Sequence, residues 1–421
     1  MSNTKIVNWD SVLLENVVEK IIGGGTPSRD VEEYYEGNIP WFTVKDMIGN
    51  HLSKSQEYIT EDAIQNSATN LIEANNVIVA TRIALGKAFI NECDIAINQD
   101  LKALIPKKNS ITSEYLLLSI LGQSEKIVSM GSGTTVKGIR LEQLKKLSIL
   151  LPSLKEQQKI AEILSSVDAA IEKTEQVIAK TEEVKKGLMQ QLLTKGIGHT
   201  EFKDSKVGLI PKSWHLIDFI GVADSNIDYS FTGGPFGSDL KSEDYTENGV
   251  RIIQLQNIKD GYFNDDYKIF TSEEKANKLK SCNIYPGEII IAKMADPLAR
   301  ACLVPDKDSR YLMASDGIRL SIDKCEFDTD FVLYSINSIY FRNQAEEVST
   351  GTTRLRIGLS ALKKLQFKVP PLEEQKRIGS IILSFDNKIK SEQEKLIKLK
   401  ECKKGLMQQL LTGQVRVGSL C

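Results

Sequence analysis

Histidine and cysteine are scarce in this 421-residue chain and poorly placed for metal chemistry. The three histidines, His51, His199 and His215, are dispersed, and the six cysteines (Cys93, Cys282, Cys302, Cys325, Cys402, Cys421) include no C-x-x-C pair. A zinc site of the usual ligand spacing is therefore not expected, and the cysteine usage suits a reducing compartment. No run reaches the roughly 18 apolar residues of a membrane span. The first twenty residues have no basic segment leading into a long apolar stretch, so a cytoplasmic protein without membrane contact is expected. A basic excess is also missing: 54 Lys and Arg face 56 Asp and Glu, for a net charge of −2. A protein that grips nucleic acid alone usually neutralises phosphates with such an excess. Either the chain binds no nucleic acid, or its basic groups are local and partners supply the rest of the phosphate grip.

Catalytic signatures are missing too. Lys87 follows Gly86, but Thr81 stands where a P-loop needs its first glycine and Ala88 where it needs Ser or Thr. Asp296-Pro297-Leu298-Ala299 lacks the second proline and the aromatic with which amino-methyltransferases hold a flipped adenine. No G-x-S-x-G context supports a triad. No catalytic residue, metal ligand or cofactor is assigned to this chain.

What is present is a repeat. The stretch from Pro152 to Thr194 returns 218 positions later from Pro370, with Gln157 matching Gln375, Asp168 matching Asp386 and Gly187-Leu188-Met189 matching Gly405-Leu406-Met407. About 30 of 65 positions agree between 131–195 and 349–413, which duplication explains better than chance. Each copy reads as one long helix opened by proline, a residue that loses no intrahelical hydrogen bond there. Ile160, Leu164, Val167, Ile171, Ile178, Leu188 and Leu192 fall at spacings of three, four, seven or ten and so form one stripe. Ile378, Ile382, Phe385, Ile389, Leu396, Leu399, Leu406 and Leu410 form another. A helix of some forty residues is roughly 60 Å long, too long for one small domain to cover, so a coiled coil between the two stripes is expected.

The segments before the helices are mixed, giving an α+β chain: a first domain over 1–151, a long helix over 152–195, a connector and second domain over 196–369, a second long helix over 370–413 and a tail over 414–421. In the first domain 41–44, 76–80 and 101–105 read as strands and 113–129 as a helix. In the second, 250–255 and 288–292 read as strands and 330–348 as a helix. Lys195 to Ser213 reads as a plain connector. Glycine-rich loops at 23–29, 81–87, 131–137 and 232–238 punctuate the strands.

The duplicated start, Leu154-Lys155-Glu156-Gln157 or Leu372-Glu373-Glu374-Gln375, and the ending Gly-Leu-Met-Gln-Gln-Leu-Leu resemble the specificity subunit of type I restriction–modification enzymes. Gly24-Gly25-Thr26-Pro27-Ser28, Gly234-Pro235-Phe236-Gly237-Ser238 and Ile210-Pro211-Lys212-Ser213-Trp214 look like loops of that family's target-recognition domains. The resemblance implies two recognition domains separated by two long antiparallel helices, with an internal pseudo-twofold repeat. It also implies a non-catalytic reader of a bipartite site on double-stranded DNA. Two methyltransferase subunits and restriction/translocase subunits would be its partners, carrying S-adenosylmethionine, ATP and magnesium. Arg, Lys, Asn and Gln are the side chains whose donors and acceptors fit base edges. The candidates are Arg29, Lys45, Arg82, Lys87, Gln99 and Lys137 in the first domain, and Gln254, Gln256, Asn257, Lys293, Arg300, Arg354 and Arg356 in the second. Thr26, Ser28, Ser238, Thr134 and Thr352 suit phosphate contacts or loop caps better. A stand-alone DNA-binding regulator and a coiled-coil protein scaffold are the competing readings.

Overall fold

The computed structural model describes residues 9–133, 137–351 and 354–417. They form two compact units, one of Met1–Glu175 with Glu394–Cys421 and one of Gln176–Gln393. The boundaries cross the segments expected from sequence, because each long helix is divided between the units instead of standing apart as a domain.

The first unit stacks two sheets. One runs in the order Val18–Gly23, Leu101–Pro106, Val77–Ala80, Ala88–Asn91, His51–Leu52, and the other Glu57–Ile59, Ile39–Phe42, Ile95–Ile97, Leu71–Ile72. The run Val77-Ile78-Val79-Ala80 has no polar face because both of its sides are covered. Side chains alternate along a strand, so Val77 and Val79 join Leu104, Ile90 and the helix Ser113–Leu121 in one core. Ile78 and Ala80 join Phe89, Leu101, Phe42 and Ile97 in the core between the sheets.

The second unit repeats the plan. Ile289 and Ile291 pack with Ile318, Leu320 and the helix Thr329–Ile336. Ile290 and Ala292 face Ile253, Tyr311 and Met313 of a second sheet. Each unit also closes a two-stranded antiparallel ribbon on the strand that leads into a long helix: Asp10–Leu13 with Ser148–Leu151, and His215–Asp218 with Gln366–Val369.

The long helices span Leu154–Lys195, 42 residues, and Leu372–Leu411, 40 residues. Gly196 and Gly413 follow them at φ +67° and +72°, the left-handed conformation that closes a helix at least cost in glycine. In the first unit the start of the first helix meets the end of the second, with Ile160 and Leu164 sharing a core with Leu410 and Leu406. In the second unit the end of the first meets the start of the second, through Leu188, Leu192, Ile378 and Ile382. The pairing is antiparallel in both. Val167, Ile171, Ile178, Phe385, Ile389, Leu396 and Leu399 are half-buried along the same stripes. The stripe also contains Thr174 and Thr181, both buried, whose hydroxyls donate to the carbonyls of Ala170 (2.7 Å) and Val177 (2.6 Å).

Equivalent residues anchor each unit to its helices. Gln157 is fully buried; its Oε1 accepts from the Thr112 amide and its Nε2 donates to the carbonyls of Ser110 and Pro152. Gln375, also fully buried, accepts from the Asp328 amide and donates to the carbonyls of Glu326 and Pro370. Thr112 and Asp328 in turn cap the helices Ser113–Leu121 and Thr329–Ile336 with their side chains. Lys403 pairs with Asp168 at 2.5 Å in one unit, and Lys185 with Asp386 at 2.5 Å in the other.

Several local expectations are corrected. The strand expected over 41–44 stops at Phe42, because Asp46 accepts from the Thr43 amide and hydroxyl and starts a short turn over Val44–Asp46. The helix expected over 113–129 breaks after Leu121, where Gln123 Nε2 donates to the carbonyls of Ser119 and Ser148. The helix expected over 330–348 breaks at Asn337, whose amide side chain bonds both backbone groups of Ala301. The supposed connector is folded: Phe202–Lys203 pairs with Ile210–Pro211, and Glu374 accepts from Trp214 Nε1, the Ile197 amide and His199 Nε2. The described part of the supposed tail, 414–417, is packed on the first unit: Arg416 donates twice to Glu156, Trp9 Nε1 donates to the same carboxylate, and Val417 is buried. Among the described residues, no helix is long and apolar enough to cross a membrane.

Candidate nucleic-acid interface

In each unit the strand loops converge at one end of the sheets, and two of the three backbone bonds that tie them are equivalent between the units. In the first unit the Gly25 amide donates to Ile97, the Thr81 amide to Asp100 and the Ile139 amide to Thr81. In the second the Gly234 amide donates to Gly317, the Lys293 amide to Asp316 and the Ile357 amide to Lys293. A Cβ on Gly24 would lie 1.9 Å from the Ile97 carbonyl oxygen, and one on Gly234 would lie 1.9 Å from that of Ala314. Only glycine allows the loop to press so closely on the strand end, which accounts for glycine in both motifs.

Polar side chains collect on this junction. In the first unit Arg82 pairs with Asp100 at 3.4 Å and stays half-exposed. Thr26 donates to Gln99 Oε1 at 2.6 Å. Lys137 is exposed on the loop that bridges back to Arg82 through Gly138. Lys87 is exposed, with its Nζ donating to the Met47 carbonyl at 3.4 Å. Lys45 is exposed on the neighbouring turn. Lys102, which the sequence hid inside a strand, projects beside Gly23 and is held below the usual lysine range by burial.

In the second unit Arg356 pairs with Asp316 at 3.0 Å, and Lys293 Nζ donates to the Ser315 carbonyl. Burial and the Arg356 charge hold Lys293 below its ordinary pKa. Gln256 and Arg354 are exposed, and Gln254 Nε2 donates to the Tyr245 hydroxyl at 3.3 Å. Each junction thus holds an arginine against a carboxylate, Asp100 or Asp316, beside further cations and amides. Such a surface can contact phosphates and present planar donors to base edges.

Three candidates are taken up by the fold. Asn257 is fully buried: its Oδ1 accepts from the Gln254 amide and its Nδ2 donates to the carbonyls of Asn264 and Tyr267, so it clamps a loop and is corrected from reader to scaffold. Arg300 donates to the carbonyls of Asp296 and Leu255 and ties two loops together. Arg29 makes a bidentate pair with Glu57 (2.6 and 2.8 Å) over the Tyr35 ring, and the guanidinium holds that carboxyl below its usual range. Nothing in the sequence marked these partners, which lie 28 or more residues away for Arg29 and Arg300's Leu255 contact. Ser28 accepts from the Asp30 amide as a loop cap, and Ser238 lies 3.4 Å from Asp239 Oδ1. Thr134 and Thr352 lie outside the described residues.

The chain matches the family model described as type I restriction modification DNA specificity domain over residues 6–183 and 240–401. It is 26% identical over 420 residues to the type I restriction enzyme MjaVIII specificity subunit of Methanocaldococcus jannaschii, covering 98% of this chain and 94% of that one. It is 33% identical over 168 residues to the EcoR124I/EcoR124II specificity subunit of Escherichia coli, covering 38% of this chain and 41% of the relative. Among solved structures, the S subunit of a type I restriction–modification system from M. genitalium superposes with a TM-score of 0.58 at 17% identity, covering 98% of each chain. A second, from work on assembly and conformational transition of the type I system, gives 0.58 at 15% identity over 97% of this chain and 99% of that one. Two family matches that together span most of the chain, a full-length relative and a shared fold place this protein in the type I restriction–modification DNA specificity family.

Proposed function

We propose that this chain is the sequence-reading subunit of a type I restriction–modification complex and that each unit reads one half of a bipartite DNA target. The observation that carries the reading is the loop junction built twice, with two equivalent backbone bonds and a carboxylate-held arginine in each unit, Arg82 on Asp100 and Arg356 on Asp316. Arg82, Lys87, Gln99, Lys137 and Lys45 serve the first half-site, and Gln254, Gln256, Lys293, Arg354 and Arg356 the second. Arg29 and Arg300 shape the loops beside them.

The chain itself performs no chemistry in this reading. Two methyltransferase subunits supply S-adenosylmethionine chemistry, and restriction/translocase subunits use ATP and magnesium. A net charge of −2 agrees with partners that share the phosphate grip, since phosphate neutralisation supplies most of non-specific affinity. The test is co-expression with cognate methyltransferase subunits, followed by mapping of methylated adenines. The expected result is one bipartite motif, with Arg82→Ala relaxing only one half and Arg356→Ala only the other. Turnover by the purified chain alone that is lost on mutating one of its own residues would overturn the non-catalytic role.

A further inference from the structure

The first unit carries a residue at its loop junction that neither charge nor motif would nominate. Ile83 has φ +65°, and the Ala84 amide donates to the Arg82 carbonyl at 2.7 Å across it. This is a γ-turn with its central residue on the left-handed side, a rare and strained form, and a β-branched residue is among the least suited to it. The side chain obtains little burial in exchange, since Ile83 is 60% exposed. The turn is nonetheless fixed on both sides: the Ile83 amide donates to the Lys137 carbonyl at 3.1 Å, and Arg82 bridges to Gly138. Half-exposed Arg82 precedes it in the chain, and exposed Lys87 and Lys137 lie on the same loop and on the loop bonded to it. Strain of this kind persists where function uses it.

We propose that Ile83 reads a thymine in the first half-site by contact with its C5-methyl group, while its cationic neighbours hold the flanking phosphates. The methyl is the one apolar feature on a major-groove base edge, and a stiff, exposed aliphatic tip on a loop that also carries cations suits it. The inference rests on the DNA-reading role given above and adds a recognition residue to it.

The test uses the complex with its methyltransferase subunits, once the target has been mapped. Binding is measured to duplexes in which each thymine of the first half-site is replaced in turn by deoxyuridine, which lacks only the methyl. One replacement should weaken binding roughly three- to fivefold, the scale of burying a single methyl group. The same replacement should have no effect on Ile83→Gly and its full effect on Ile83→Val. Glycine accepts positive φ freely, so Ile83→Gly should melt at or above the wild-type temperature, which separates recognition from folding. Insensitivity to every replacement, or sensitivity that survives in Ile83→Gly, would overturn the proposal. A uniform loss by Ile83→Gly on all sequences, with reduced DNA bending, would also overturn it and indicate a side chain wedged between base steps. Failure of the wild-type complex to select any bipartite sequence would instead overturn the functional reading itself.

Discussion

Gln157 and Gln375 show how much a single buried polar side chain fixes here. Each satisfies one amide and two carbonyls that would otherwise be buried without partners. Replacing Gln157 with Leu should cost about 2–4 kcal/mol, because unmet buried polar groups carry their full desolvation penalty. Denaturant unfolding of the variant checks the figure. Lys368 presents the opposite case. It is almost fully buried beside the Tyr340 ring, its Nζ 4.4 Å from the centroid, and burial lowers its pKa to about 8. The unfolded chain therefore binds more protons than the folded one between about pH 8 and the ordinary lysine value of about 10.4. Stability should rise with pH across that window and be lowest below it. Lys368→Met should abolish that slope and stabilise the protein at neutral pH by about 1–3 kcal/mol, as thermal unfolding between pH 7 and 10.5 would reveal. At this scale the sequence was least informative. Asn257 and Gln256 are equivalent on paper, and only the fold reveals that one is buried in a loop while the other faces solvent.

Elements were far more legible. The long helices declare themselves by a helical apolar stripe running from Ile160 to Leu192 and from Ile378 to Leu410, and by the prolines that open them. Periodicity missed Thr174 and Thr181 on the stripe because their hydroxyls are satisfied by the preceding turn and need no polar surroundings. It also missed the breaks near Gly122 and Asn337, which are set by hydrogen bonds to distant strands. The Asp168–Lys403 pair, repeated as Lys185–Asp386, gives the antiparallel register a measurable test. Asp168→Lys should destabilise by about 1 kcal/mol, and adding Lys403→Asp should recover about half or more of that, as partly exposed ion pairs are weak but directional. A urea double-mutant cycle would decide; absence of recovery would place no coupling in the pair.

For the whole molecule, the order of variable and repeated segments carried the architecture, since duplicated helices are visible without knowing how the intervening domains fold. The candidate interface was legible only as a set of loops; the carboxylates and carbonyls that sort readers from scaffold arrive from elsewhere in the chain. Exchanging residues 1–150 for those of a relative should replace one half-site in the methylation map and leave the other intact. A change in both halves would show that the two units do not read independently.

The division of the helices bears on the order in which the protein can be finished as it is made. The second unit is a continuous run, Gln176–Gln393, whereas the first needs residues from 394 onward to complete its core. Until Leu410, Arg416 and Val417 emerge, Ile160 and Leu164 lack their apolar partner and Glu156 lacks its guanidinium. A nascent chain halted after residue 393 should thus hold a protease-resistant second unit and a still-cleavable first one, although nearly every residue of the first reader has long been synthesised. The half of the target read by the earliest-made residues becomes legible last.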